Sequence, residues 1–155
     1  MAHQYTAEVL WERGSQKFLD NRYSRKHLLK FDGVEVVGSS SALVVPVPFS
    51  EPQALDPEEA FVASISSCHM LWFLSIAAKH GFIVDSYHDT AVGVMTPNAQ
   101  KKYWVSAVTL TPTVIFSGSK LPSFAELEQL HHEAHEECFI ANSVKTEITL
   151  KIHQA

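Results

Sequence analysis

The chain has 155 residues, of which 46% are apolar and 19% charged, with six glycines and seven prolines. This excludes a disordered, collagenous or low-complexity protein. The length fits a single domain over residues 1–155 that can bury roughly 70% of its unfolded surface without disulfide staples or a structural metal. Twelve basic against seventeen acidic side chains leave a net charge of −5. Phosphate backbones and anionic lipid therefore hold no general attraction for it, and neither nucleic acid nor a membrane is expected as a partner.

In chain order, residues 4–12 and 17–37 read as β structure, with turns at Gly14-Ser15 and Asp32-Gly33. The opening MAHQYTAEVL lacks the basic stretch and apolar core of a signal peptide, so a cytoplasmic protein is the expectation. In that compartment a cysteine pair is transient and catalytic rather than structural. Residues 38–56 hold three prolines and four serines and read as a loop or irregular edge.

A long helix follows. Asp56 suits its N-cap, Pro57 its first position, and Glu59 completes a capping-box pattern. It can run to Lys79 or His80 and stop at Gly81. Residues 60–78 have nearly the length of a membrane span, but they carry four serines, a histidine and a cysteine. A central helix buried within a protein is the better reading. Residues 82–96 and 102–117 read as paired strands around Pro97-Asn98. Ser123 and Glu126 have capping-box spacing for a second helix over 123–139. The tail 144–152 alternates apolar and polar residues as a half-buried strand does.

Two cysteines and a histidine cluster could carry chemistry. Cys68 falls in the third turn of the long helix, where the helix N-terminus gives a thiolate little help. Alone it reads as a small core residue, and a nucleophilic role needs a nearby cation. Cys138 ends the second helix beside Glu136 and Glu137, and the helix C-terminus and both carboxylates favour its thiol form. That suits a resolving thiol; the alternative is a buried core cysteine. His131, His135 and Cys138 share a helix face at i, i+4, i+7, which leaves a metal-binding module open. One face supplies at most three ligands, structural zinc takes four, and CxxC and HExxH are both absent. No metal and no cofactor are therefore expected.

The two cysteine neighbourhoods together resemble the OsmC/Ohr family. The resemblance rests on Asp56-Pro57-Glu58-Glu59-Ala60-Phe61, followed through Ser66-Ser67 to Cys68-His69, and on Cys138 through Ile148, where Phe139-Ile140-Ala141-Asn142 replaces a Pro-Val-Ser-like stretch. It implies an α+β OsmC-like fold, with antiparallel sheets wrapped around a long central helix in an intertwined homodimer. It also implies thiol-dependent reduction of organic hydroperoxides. Cys68 would attack the peroxide, Cys138 would resolve it as a disulfide, and Glu58 would be the site carboxylate. Arg25 is the expected arginine, with Arg22 as the fallback. A thiol reductant, a lipoylated protein by family expectation, would reopen the disulfide. A binding or stress protein of the same fold without peroxidase turnover is the alternative.

Geometry adds an expectation about assembly. Ten residues of helix separate Glu58 from Cys68, which is ~15 Å of rise and ~280° of rotation. The two cannot meet on one straight helix. The long helix is also apolar around most of its circumference, more than one other helix and a few strands can cover. Both points favour a dimer.

Overall fold

The long helix, α1 (Pro57–Lys79), begins and ends on local backbone chemistry. The Glu59 amide donates to Asp56 Oδ1 at 2.8 Å and the Asp56 amide to Glu59 Oε2 at 3.3 Å, a reciprocal capping box. At the other end Gly81 takes φ of 79°, and the Phe82 amide donates back to the Ala77 carbonyl at 3.0 Å. Only glycine enters that left-handed turn without steric cost, so the helix stops there. The computed structural model describes residues 1–154. They group into two compact units, residues 1–60 and the described residues from Phe61 onward.

In the first unit β1 (Glu8–Leu10), β2 (His27–Phe31) and β3 (Val34–Gly38) form an antiparallel sheet in that order. Phe31 pairs with Val34 across the expected Asp32-Gly33 turn. Residues 17–26 are not the strand that the sequence suggested. Their aromatic residues fold inward on one another instead of alternating. Phe18 stacks on Tyr23 at 4.7 Å, and Trp11 meets Tyr23 edge-on at 5.3 Å. The Trp11 indole also donates to the Ser24 carbonyl. Residues 38–56 form the expected loop, tied down where the Ser39 amide donates to the Leu55 carbonyl, the Leu55 amide donates to the Val37 carbonyl and Ser39 Oγ accepts from the Glu51 amide.

In the second unit the expected strand pair is a long hairpin broken into four strands. β4 (Ile83–Asp89) pairs with β7 (Pro112–Ser117), and β5 (Val92–Pro97) with β6 (Tyr103–Leu110). Register carries through the break, from Asp89 opposite Pro112 to Val92 opposite Thr109. The cause sits at Asp89. One carboxylate oxygen accepts the Thr111 amide at 2.6 Å and the other accepts the Ser66 hydroxyl from α1. The amide that would continue the ladder is diverted to a side chain. The alternating tail breaks at the same level, with β8 (Glu147–Leu150) parallel to β6 and β9 (His153–Gln154) parallel to β7.

The second helix, α2 (Phe124–Glu137), starts on the predicted Ser123/Glu126 capping box. Leu127, Leu130 and Ala134 pack with Phe73, Ile76 and Ala77 of α1 and with Phe82 and Val114. A second cluster joins Ile65 of α1 to Val108 and Leu110 of β6. The buried face of α1 therefore reads Ile65, His69, Phe73, Ile76 and Ala77. It is long and apolar enough to cross a membrane, but this face is packed against protein. The opposite side is not: Leu71 is 60% exposed. Where α1 crosses β5, Gly93 leaves the room that Val62 fills, since a Cβ there would stand 2.5 Å from Val62 Cγ2.

The polar exception in this core is a histidine pair. His69 Nε2 and His131 Nδ1 share a hydrogen bond of 3.0 Å, with the two rings parallel. Phe73 stacks on His131 at 4.2 Å. Burial lowers the His69 pKa to about 4, helped by nearby His135 and opposed by Asp89. Burial, then the His69 charge, lowers His131 to about 3. Both rings are therefore neutral at pH 7.

A histidine held below its unfolded value of ~6.5 contributes stability that is complete above that pH. The contribution is lost as pH falls toward the native pKa, at up to ~1.4 kcal/mol per pH unit for each ring. The urea midpoint should fall between pH 6.5 and pH 4, while NMR at pH 5.5 should still show neutral imidazoles for His69 and His131. Protonated rings at pH 5.5 in the folded protein would contradict this.

Candidate functional site

The end of α2 is where the two thiols meet. Cys138 is the C-cap of α2, with extended backbone. The chain then folds through a 3-10 turn at Ala141–Ser143. The Asn142 side-chain amide donates to the Glu136 carbonyl at 2.8 Å, and its backbone amide to the Cys138 carbonyl at 3.0 Å. These bonds satisfy helix-end carbonyls that would otherwise lack partners. They also bring the Ala141 amide within 3.4 Å of Cys138 Sγ.

Cys138 is fully buried and Cys68 half-buried, and the two thiols are near enough for Cys68 to raise the Cys138 pKa. Both are unoxidised. Burial pushes the Cys138 pKa up to about 11, and the hydrogen bond with Cys68 adds to the rise. The Ala141 and Ile140 amides pull the other way. The expected direction holds, but burial and the partner thiol dominate it, not the helix terminus and the two glutamates.

Cys68 opens into a groove of about 540 Å³ lined by Ser64, Ser67, Leu71, Trp72, Ser75, Phe139 and Ile140. That volume is in the ~300–1,000 Å³ range of small-molecule sites. Trp72 and Phe139 meet edge to face at 5.4 Å and make its aromatic wall. The Ser64 hydroxyl donates to the Phe61 carbonyl at 2.7 Å, so one of the three serines is already partnered by the helix. The groove can hold an apolar or amphipathic molecule against the Cys68 sulfur.

The other predicted residues lie in the first unit. Arg25 is in the loop before β2 rather than in a strand. Its guanidinium donates to the Asn21 carbonyl at 3.0 Å, to Asn21 Oδ1 at 2.7 Å and to the Tyr23 carbonyl, and it lies 3.9 Å from the centre of the Tyr23 ring. Three of its five N–H donors are thereby bound within the loop. Arg22 lies over the Phe49 ring at 5.6 Å. Glu58 is half-buried on the first turn of α1. Since α1 is continuous to Lys79, Glu58 stays ~15 Å along the axis from Cys68 of its own chain.

His131 is turned to His69, and among the described residues no group of three or more histidine, cysteine or carboxylate side chains could hold a metal ion. The sequence pattern does not single out His69 or Phe139 as site residues. For His69 a signal existed, since it sits between Ile65 and Phe73 at four-residue spacing on the buried face.

A family profile described as OsmC-like protein matches residues 50–153. No curated protein matches the chain. Among solved structures, an OsmC-like protein of unknown function from Vibrio cholerae is 51% identical, with a TM-score of 0.96, over 98% of this chain and all of that one. An organic hydroperoxide resistance protein from Elizabethkingia anophelis, with bound thiocyanate, is 16% identical with a TM-score of 0.70, over 100% of this chain and 99% of that one. One from Legionella pneumophila is 15% identical with a TM-score of 0.69, over 100% and 98%. The last two share the α+β fold at identities that speak for the fold alone. With its cysteines on the long helix and at the end of α2, and with a family match over residues 50–153, the chain belongs to the OsmC-like family.

Proposed function

We propose that this protein is a cytoplasmic, homodimeric thiol peroxidase that reduces organic hydroperoxides. The observation that carries the reading is the meeting of two thiols, 70 positions apart in sequence, at the edge of a largely apolar groove. A lone buried cysteine would be explained by packing; two neighbouring thiols beside a groove of substrate size call for chemistry.

In the first step the Cys68 thiolate attacks the outer peroxide oxygen. The S–O bond forms, the O–O bond breaks, and the alkoxide leaves as the alcohol after taking a proton. Cys68 is then a sulfenic acid. In the second step Cys138 sulfur attacks Cys68 sulfur. The S–S bond forms, the S–O bond breaks, and the hydroxide leaves as water with the Cys138 thiol proton. A Cys138 pKa of about 11 keeps that thiol protonated until this step. A dithiol reductant, of the kind a lipoylated protein carries, reopens the disulfide by exchange.

Arg25 supplies the cation for the thiolate, and Glu58 orients it. Two guanidinium donors remain beyond the three bound in the loop, and the Tyr23 ring beneath holds the group in one pose. The Glu58–Cys68 separation on one helix favours a site to which a second chain brings its carboxylate. The exposed Leu71 side of α1 supports the same assembly, because burying a leucine contributes ~1.5–3 kcal/mol.

Three outcomes follow. With an alkyl hydroperoxide and dihydrolipoamide, Cys68→Ser should abolish turnover. Cys138→Ser should consume about one peroxide per site and stall as a sulfenic acid trapped by dimedone. Near-normal turnover in Cys68→Ser would overturn the assignment. Arg25→Ala should slow peroxide attack roughly 10- to 150-fold, the loss of a charge-assisted hydrogen bond of ~1.5–3 kcal/mol, while Arg22→Ala changes little. Stopped-flow single turnovers decide it, and an unchanged rate removes Arg25 from the site. Sedimentation at low micromolar concentration should give twice the chain mass of 17.3 kDa. An active monomer would sink the dimer.

A further inference from the structure

Two adjacent residues of α1, Cys68 and His69, each tie to α2. Cys68 meets Cys138, and His69 meets His131. Adjacent residues on a helix point ~100° apart, whereas residues seven apart point almost the same way, two turns or ~10.5 Å along the axis. One turn of α1 therefore grips the inner face of α2 at two points about 10 Å apart. Ala134, fully buried, lies between those points and lets the helices approach. Just beyond the end of α1, His80 meets Glu133 of α2 at 3.4 Å, at the surface.

The two ties differ in durability. The thiol tie is lost whenever Cys68 carries an oxygen or a foreign sulfur, which is when Cys138 must be close. The imidazole tie is outside that chemistry. It is directional, and Phe73 stacked on His131 fixes the ring plane. His69 Nδ1 and His131 Nε2 have no hydrogen-bond partner among the described residues, so the shared N–H···N bond is the only one either ring makes there. Simple packing does not require this arrangement, since two apolar residues would fill the same space without stranded nitrogens.

We propose that His69 and His131 are a positioning pair that holds the end of α2, and with it Cys138, in reach of the Cys68 sulfur while the thiol contact is exchanged. Its use in turnover rests on the two-thiol reading above; its effect on the approach of the two thiols does not. The test accordingly needs no peroxide. In a glutathione buffer the Cys68 thiolate attacks oxidised glutathione and releases one glutathione. Cys138 then displaces the second, so two thiols are oxidised, one glutathione disulfide is reduced, and both protons leave with the two glutathiones. The equilibrium ratio gives the effective concentration of Cys138 at Cys68.

The doubly apolar variant His69→Phe, His131→Leu should keep its urea midpoint and lose at least ~10-fold in effective concentration, by analogy with the large effects of orientation on intramolecular reactions. His131→Gln, whose amide can still bond His69, should retain most of it. Leu127→Ala should lower the midpoint and leave the effective concentration unchanged. An apolar variant that forms the disulfide as readily as the native protein overturns the proposal. Should that variant not fold, His131→Gln against His131→Met decides: equal values for the two refute it. A native protein that forms the disulfide but consumes no peroxide sinks the peroxidase reading and leaves the positioning role standing.

Discussion

A helix end presents carbonyls without partners, and in this chain the two-thiol site is built on such an end. The capping box at Ser123 fixes where α2 begins. Asn142 fixes where it stops, by taking the Glu136 carbonyl with its side chain and the Cys138 carbonyl with its backbone. Cys138 is thus held in extended backbone, with its sulfur turned inward to Cys68 and its successor Phe139 turned outward to the groove wall. One residue fewer or more of helix would rotate the cysteine by ~100° and send the sulfur elsewhere.

The other half of the site depends on α1, which does two jobs with one amino-acid pattern. Its Ile65, His69, Phe73, Ile76 face is committed to the core, and the side bearing Ser64, Ser67, Cys68, Leu71 and Ser75 is left to the groove. Asp89 links these parts. It takes the Ser66 hydroxyl from α1 and the Thr111 amide from the hairpin, so the break in the sheet and the seat of the helix are set by one carboxylate.

Much of this was legible from local signals. Asp56 with Glu59 and Ser123 with Glu126 mark the starts of both helices and Gly81 the end of α1, because caps are short-range hydrogen bonds between residues a few positions apart. The alternation of 144–152 survives in the structure as alternating burial. What escaped was long-range. The break opposite Thr111 is made by Asp89, 22 residues away. The aromatic run near Phe18 and Tyr23 has β propensity but finds a better partner in Trp11. The His69–His131 bond spans 62 positions, and no periodicity announces it. The proposal that Cys68 and Cys138 act as a pair draws on family resemblance, since spacing alone leaves two buried cysteines.

The central claim is that Cys68 and Cys138 form one redox pair driven by an organic hydroperoxide. The most direct measurement is mass spectrometry of the reduced protein after one equivalent of cumene hydroperoxide per chain, quenched with an alkylating agent and digested without reductant. A peptide cross-link between Cys68 and Cys138 within one chain, together with one equivalent of alcohol, is the expected result. Both cysteines recovered alkylated, with the peroxide unconsumed, would contradict it.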